Sequence, residues 1–215
     1  MAIQVSGTSV INDSRQLQNI ASVDSTTAAS ITAAGVGGTP GLTRISSASI
    51  SNVANFSFSG FNSSNYQSYI LILDAIIPGS TPYANKMYMF TTTDGSTTNK
   101  QDMTAAAYYN TSNGVLGSYG TQSNDNTIIH KQVNNLTNHG ASAIIEITNP
   151  AVSGKAVAIH AKVVGRENAS NDRTTAHNVF AMPNSASSDI SLIGFFFEYT
   201  NTISGTITAY GLANS

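Results

Sequence analysis

Cysteine and tryptophan are absent from the 215 residues of this chain. The missing thiols exclude disulfides, thiolate metal sites and thiol nucleophiles. Charge is scarce as well: Asp, Glu, Lys and Arg make up 9% of the residues, against roughly 25% in an ordinary soluble protein. The formal net charge is -2, and no basic block exists to neutralise a row of phosphates, so nucleic acid is not an expected partner. No apolar run approaches the roughly 18–20 residues of a membrane span, so membrane insertion is not expected. The opening Met1-Ala2-Ile3-Gln4-Val5-Ser6 has no basic segment ahead of an apolar one, which predicts no signal peptide. Aromatic residues are missing from the first fifty positions; every Phe and Tyr lies at or beyond Phe56.

What fills the chain instead is Ser, Thr and Asn, about a third of all residues. Hydroxyls and amides suit turns and solvent-facing strand positions better than helix surfaces. From Phe56 on, short β-type runs alternate with breakers such as Pro78-Gly79, Asp94-Gly95, Asn113-Gly114, Asn149-Pro150 and Ser204-Gly205. Strands are predicted near 56–61, 67–77, 84–92, 104–109, 126–134, 142–149, 155–165, 189–199 and 203–212. Tyr69-Ile70-Leu71-Ile72-Leu73 is apolar throughout, as for a strand buried on both sides or at a subunit contact. In Ala156–Val163 the alternation puts Val157, Ile159 and Val163 inward and His160 and Lys162 outward. The expected class is all-β: an antiparallel β-sandwich or jelly-roll-like domain over 51–215.

Residues 1–50 lack the large side chains that build a core and are expected to form an extended attachment arm. Ile3-Gln4-Val5 and Ser9-Val10-Ile11 read as two short strands across Ser6-Gly7-Thr8. A capping Asp24 or Ser25, an Ala-rich interior and Gly35 predict a short helix between them. A helix this short needs a partner surface.

Candidates for chemistry are few. His130, His139, His160 and His177 have no ligand spacing and read as surface or strand-edge histidines. Asp94-Gly95-Ser96 and Asn124-Asp125-Asn126 each offer a single carboxylate, which is turn chemistry rather than a calcium loop. Glu146, Glu167 and Glu198 invite a glycosidase reading, which requires two of them to converge. No nucleophile elbow, phosphate loop or dinucleotide fingerprint is present. The expectation is a non-enzymatic protein without metal or cofactor. Tyr108, Tyr109 and Tyr119 flank a polar stretch at 110–126; they either offer rings to a glycan or straddle a strand, one ring inward and one at an edge.

Two stretches carry a resemblance. Ile3-Gln4-Val5-Ser6-Gly7-Thr8-Ser9-Val10-Ile11-Asn12-Asp13-Ser14-Arg15-Gln16-Leu17-Gln18-Asn19-Ile20 is similar to the G-x-x-V-I-x-x-S-R-x-L-x-N-I opening of tailed-phage fibre and appendage proteins. Tyr66–Leu73, Ile145–Pro150 and Ile203–Leu212 resemble a β-sandwich pattern of phage structural proteins, with Ala209 and Leu212 departing from its usual G-x-I-x-L-Y-G-I ending. The resemblance implies a virion surface protein made in the host cytoplasm, often trimeric, that contacts other virion proteins through its arm. Ile3, Val5, Val10, Ile11, Leu17 and Ile20 would be the arm's buried contacts. A capsid decoration or short head fibre is expected first, since no shaft of repeats is visible; a small tail fibre binding host-surface glycans is the alternative, and a glycan-active enzyme the third.

Overall fold

The structure is a computed structural model. It describes residues 3–5, 8–11, 26–27, 41–79, 85–111, 116–120, 126–134, 140–152, 154–166, 174–184, 189–198 and 202–213, the first two ranges as backbone only. The chain divides into two units, Met1–Pro40 and Gly41–Ser215. In the first, β1 (Ile3–Val5) and β2 (Thr8–Ile11) pair antiparallel, with Ile3 opposite Ile11 and Val5 opposite Thr8. Of the predicted helix, Thr26 and Thr27 are helical; its other residues lie outside the described ones.

The second unit is an all-β sandwich of two antiparallel sheets. Its strands are β3 (Leu42–Val53), β4 (Phe56–Phe58), β5 (Tyr66–Pro78), β6 (Asn85–Thr92), β7 (Met103–Thr111), β8 (Leu116–Gly120), β9 (Thr127–Val133), β10 (Ala141–Thr148), β11 (Ala158–Arg166), β12 (Thr174–Pro183), β13 (Leu192–Phe197) and β14 (Ile203–Ala213). The large sheet has the order β3-β14-β5-β10-β11-β12-β7-β8 and the small sheet β4-β13-β6-β9. Only β10-β11-β12 and β7-β8 place consecutive strands side by side; elsewhere the chain passes back and forth between the sheets. The N-terminal boundary therefore differs from the expected 50/51. Leu42–Val53 pairs with β14 along its length and forms an edge of the large sheet. Most of its residues are exposed and it is held mainly by backbone hydrogen bonds, with Ile45, Ile50 and Val53 partly buried against the core, which is why the lack of aromatics there did not mark a break in structure.

Alternation decides which faces meet. In β10 and β11, Ala143, Ile145, Ile147, Ile159, Ala161 and Val163 point inward and are buried. Val157 joins them, and Lys162 is exposed, as the pattern predicts. From the small sheet come Met87, Met89, Phe195 and Phe197. Phe195 stacks on Phe56 with ring centroids 5.1 Å apart, a pairing that adds to the area both rings bury. In β5 the continuous apolar run splits: Tyr69, Leu71 and Leu73 are buried, whereas Ile72 is exposed and Ile70 half-buried on the opposite side. The strand is thus buried on one side only within the chain.

The register between β14 and β5 shifts between Ser204 and Thr206. Gly205 has φ 144°, and Ala75 across the ladder has φ 51°. A Cβ on Gly205 would lie 2.6 Å from Ile76 Cδ1 and 2.8 Å from the Asp74 carbonyl oxygen, so glycine is required there by both conformation and space.

Candidate interaction surfaces

The outer face of the large sheet is built by the residues that alternate away from the core. Ile72, Ile144, Val164, Tyr108, Phe180 and Met182 all project from it and are exposed. Leu42 and Leu212 face each other across β3 and β14 on the same side. These eight are the exposed large hydrophobic side chains among the described residues, and one face of one sheet holds them all.

Near the middle of that face, β10, β11 and β12 bring Glu146, His160 and Phe180 into one row. Glu146 accepts a hydrogen bond from Lys162 Nζ at 3.2 Å and lies 3.3 Å from His160 Nδ1. Lys162 first, and His160 after it, hold the Glu146 carboxyl below the usual carboxylate range. The His160 ring stacks on Phe180, centroids 4.3 Å apart and 12° from parallel. Beside this row the small side chains of Ala106 and Ala158 leave a depression of about 410 Å³, bounded by Thr148, Met182 and Thr104.

The opposite surface, the outer face of the small sheet, is aromatic and firmly tied down. Tyr88 and Phe196 stack at 5.1 Å, with Glu198 accepting from Lys86 Nζ at 2.7 Å and from the Tyr88 hydroxyl at 3.4 Å. Lys100 Nζ lies 4.4 Å from the Phe196 ring centre and 4.8 Å from that of Phe90, and donates to Asn126 Oδ1 at 2.9 Å. This clamps residues 93–102 onto the sheet. Burial and the neighbouring Glu198 carboxylate both raise the Tyr88 hydroxyl pKa.

Between the sheets lies a polar column. His130 on β9 and His177 on β12 are both buried, ring centroids 4.2 Å apart. The Gln132 backbone N–H donates to His130 Nδ1 at 3.2 Å, so the proton of the neutral ring sits on Nε2 and is donated to Thr175 Oγ1 at 3.0 Å. The Thr175 hydroxyl in turn donates to the Gly165 carbonyl at 3.4 Å. On the far side His177 stacks on Tyr109 at 5.6 Å, and Lys131 Nζ lies 4.4 Å from the Tyr109 ring centre. Burial, then the His177 neighbour, pushes His130 well below its ordinary pKa; burial, then Lys131, lowers His177 to about 4.

No protein-family model, curated protein or solved structure matches this chain.

The candidates from sequence are scattered by the fold. Tyr108 and Tyr109 straddle β7, Tyr108 outward and exposed, Tyr109 inward against His177. Tyr119 lies on β8 with its backbone opposite Ala107; its side chain is outside the described residues. Tyr108 and Tyr109 therefore do not share a surface. Ile3, Val5, Val10 and Ile11 lie on β1 and β2, while Leu17 and Ile20 are outside the described residues. Glu146 and Glu198 stand on the outer faces of different sheets and form no carboxylate pair; Glu167 is outside the described residues. Asp94 accepts from the Ser96 backbone N–H at 2.8 Å and from Asn99 Nδ2 at 2.6 Å, the expected turn chemistry. His160 keeps its outward place, and His139 is outside the described residues. His130 and His177 correct the surface reading: each falls at an inward position of its strand, and two rings 47 positions apart in sequence meet only because β9 packs over β12.

Proposed function

We propose that this chain is a non-enzymatic structural protein of a tailed-phage virion. It is displayed on the particle surface as a capsid decoration or short head fibre, assembled as a homotrimer and anchored to other virion proteins by its N-terminal unit. The observation that carries this reading is the division of the chain at Pro40/Gly41. One unit is small, carries the fibre-type opening in its sequence and has the β1–β2 pair; the other is an all-β sandwich of low charge. A unit with few large side chains gains most of its buried area from a partner.

The second reading, a tail fibre or adhesin for host-surface glycans, is favoured by Tyr108. Its ring is 58% exposed, directly across the ladder from Asn178, which pairs a stacking surface with an amide hydrogen-bonding group. Immunogold labelling of intact particles with an antibody to this chain separates the readings. Gold over the heads is the expected result; gold on tails gives the second reading precedence; particles without gold overturn both.

A further inference from the structure

We infer that the outer face of the large sheet is where copies of this chain meet. The inference rests on the oligomeric part of the reading above and goes beyond it by naming the surface. Water-exposed apolar side chains scattered singly over a protein need no explanation. Here none is scattered: every exposed large hydrophobic among the described residues lies on this face. Ile72 lies opposite Ile144, Leu42 opposite Leu212, and Phe180 and Met182 neighbour each other along β12, with polar side chains such as Lys162, Asn178 and Glu146 between these groups. Apolar side chains gathered on one face with polar ones among them mark an interaction surface.

Area and charge both favour a second copy as the occupant. Eight strands about 4.8 Å apart and about nine residues long give a face on the order of 1,000 Å², above the roughly 800 Å² that each partner of a stable complex commits. The charged outward positions are mixed in sign, Asp74 and Glu146 against Arg44, Lys162 and Arg166, so a copy laid on this face meets no field of its own sign. Glu146 is already bonded to Lys162 within the chain, and the pair can be covered without leaving a carboxylate unpaired. The depression beside His160 and Phe180 supplies the relief that a projecting side chain of the neighbouring copy needs for close packing. A basic or acidic foreign partner would ask instead for a face of one sign.

Sedimentation equilibrium of the full chain at micromolar concentration tests this, with far-UV circular dichroism as the control for folding. The wild type is expected at a multiple of 22.4 kDa. The double variant Ile144→Lys, Val164→Glu, which alters two outward positions on neighbouring strands, is expected to sediment as a monomer. Its dissociation constant should rise by at least about 30-fold, the factor for one lost hot-spot contact. Phe180→Ser provides the same readout without new charge, should the double variant fail to fold. Ser57→Lys, exposed on β4 of the small sheet, is expected to keep the wild-type mass. A monomeric wild type, face variants that retain the oligomer, or dissociation by Ser57→Lys as well would each overturn the inference. A monomeric wild type on gold-labelled heads would do so while leaving the virion role standing.

Discussion

His130 and His177 hold their imidazole rings 4.2 Å apart in the interior, one from each sheet. The hydrogen-bond chain through Gln132, Thr175 and Gly165 is complete only while His130 is neutral. A proton on Nδ1 would cancel the bond from Gln132 and place a charge beside His177, both residues being buried.

Acid should therefore loosen the sandwich. Both folded pKa values lie below the unfolded value of about 6.5, His177 at about 4, so the unfolded chain takes up protons first. Stability is full above pH 6.5, declines as pH falls from there toward 4, and levels off below the folded values. For His177 alone the loss is on the order of 3 kcal/mol. Urea denaturation midpoints from pH 8 to 4 measure the slope, and His177→Gln should flatten it.

Gly205→Ala should destabilise the fold by about 1–3 kcal/mol, because a side chain there is strained in conformation and collides with the β5 backbone. Denaturant unfolding at neutral pH reads the loss. A change within about 0.5 kcal/mol would mean that the bulge relaxes around the methyl group.

Lys100→Ala should release the segment 93–102 from the small sheet. The expected cost is about 0.5–2 kcal/mol for two ring contacts. The Gln101 amide, which donates to the Thr91 carbonyl at 2.8 Å, should exchange its hydrogen faster. Lys100→Arg, which retains a cation over the rings, should restore most of the protection.

Glu146→Gln removes the shared acceptor of Lys162 and His160. Since the group is nearly half exposed, the stability change should stay below about 1 kcal/mol and shrink further in high salt. Thermal melts at low and high ionic strength distinguish this from a larger, salt-insensitive loss.

Much of this fold can be read from alternation. β10 and β11 put aliphatic residues on one side and Glu146, His160 and Lys162 on the other, which is the pattern of a strand with one buried face. β12 escaped that reading, since two of its inward residues, Thr175 and His177, are polar and pair inside the core. β3 escaped it because its core-facing residues, Ile45, Ile50 and Val53, are few and spaced by five and three positions, the register with β14 shifting between the last two. The straddle of Tyr108 and Tyr109 follows from period two alone. By contrast, the meeting of His130 with His177, and the gathering of exposed aliphatics from five strands onto one face, depend on a strand order that local sequence does not encode.

β14, the final strand, lies between β3 and β5 and pairs with both. Among the described residues β3 therefore has no ladder partner other than β14, and β5 reaches β3 only through it. A substitution that unseats β14 would detach the β3 edge and, in the same event, lay bare the ladder groups of β5 as a template for pairing with another chain. One strand thus guards the sheet against aggregation as well as holding its edge.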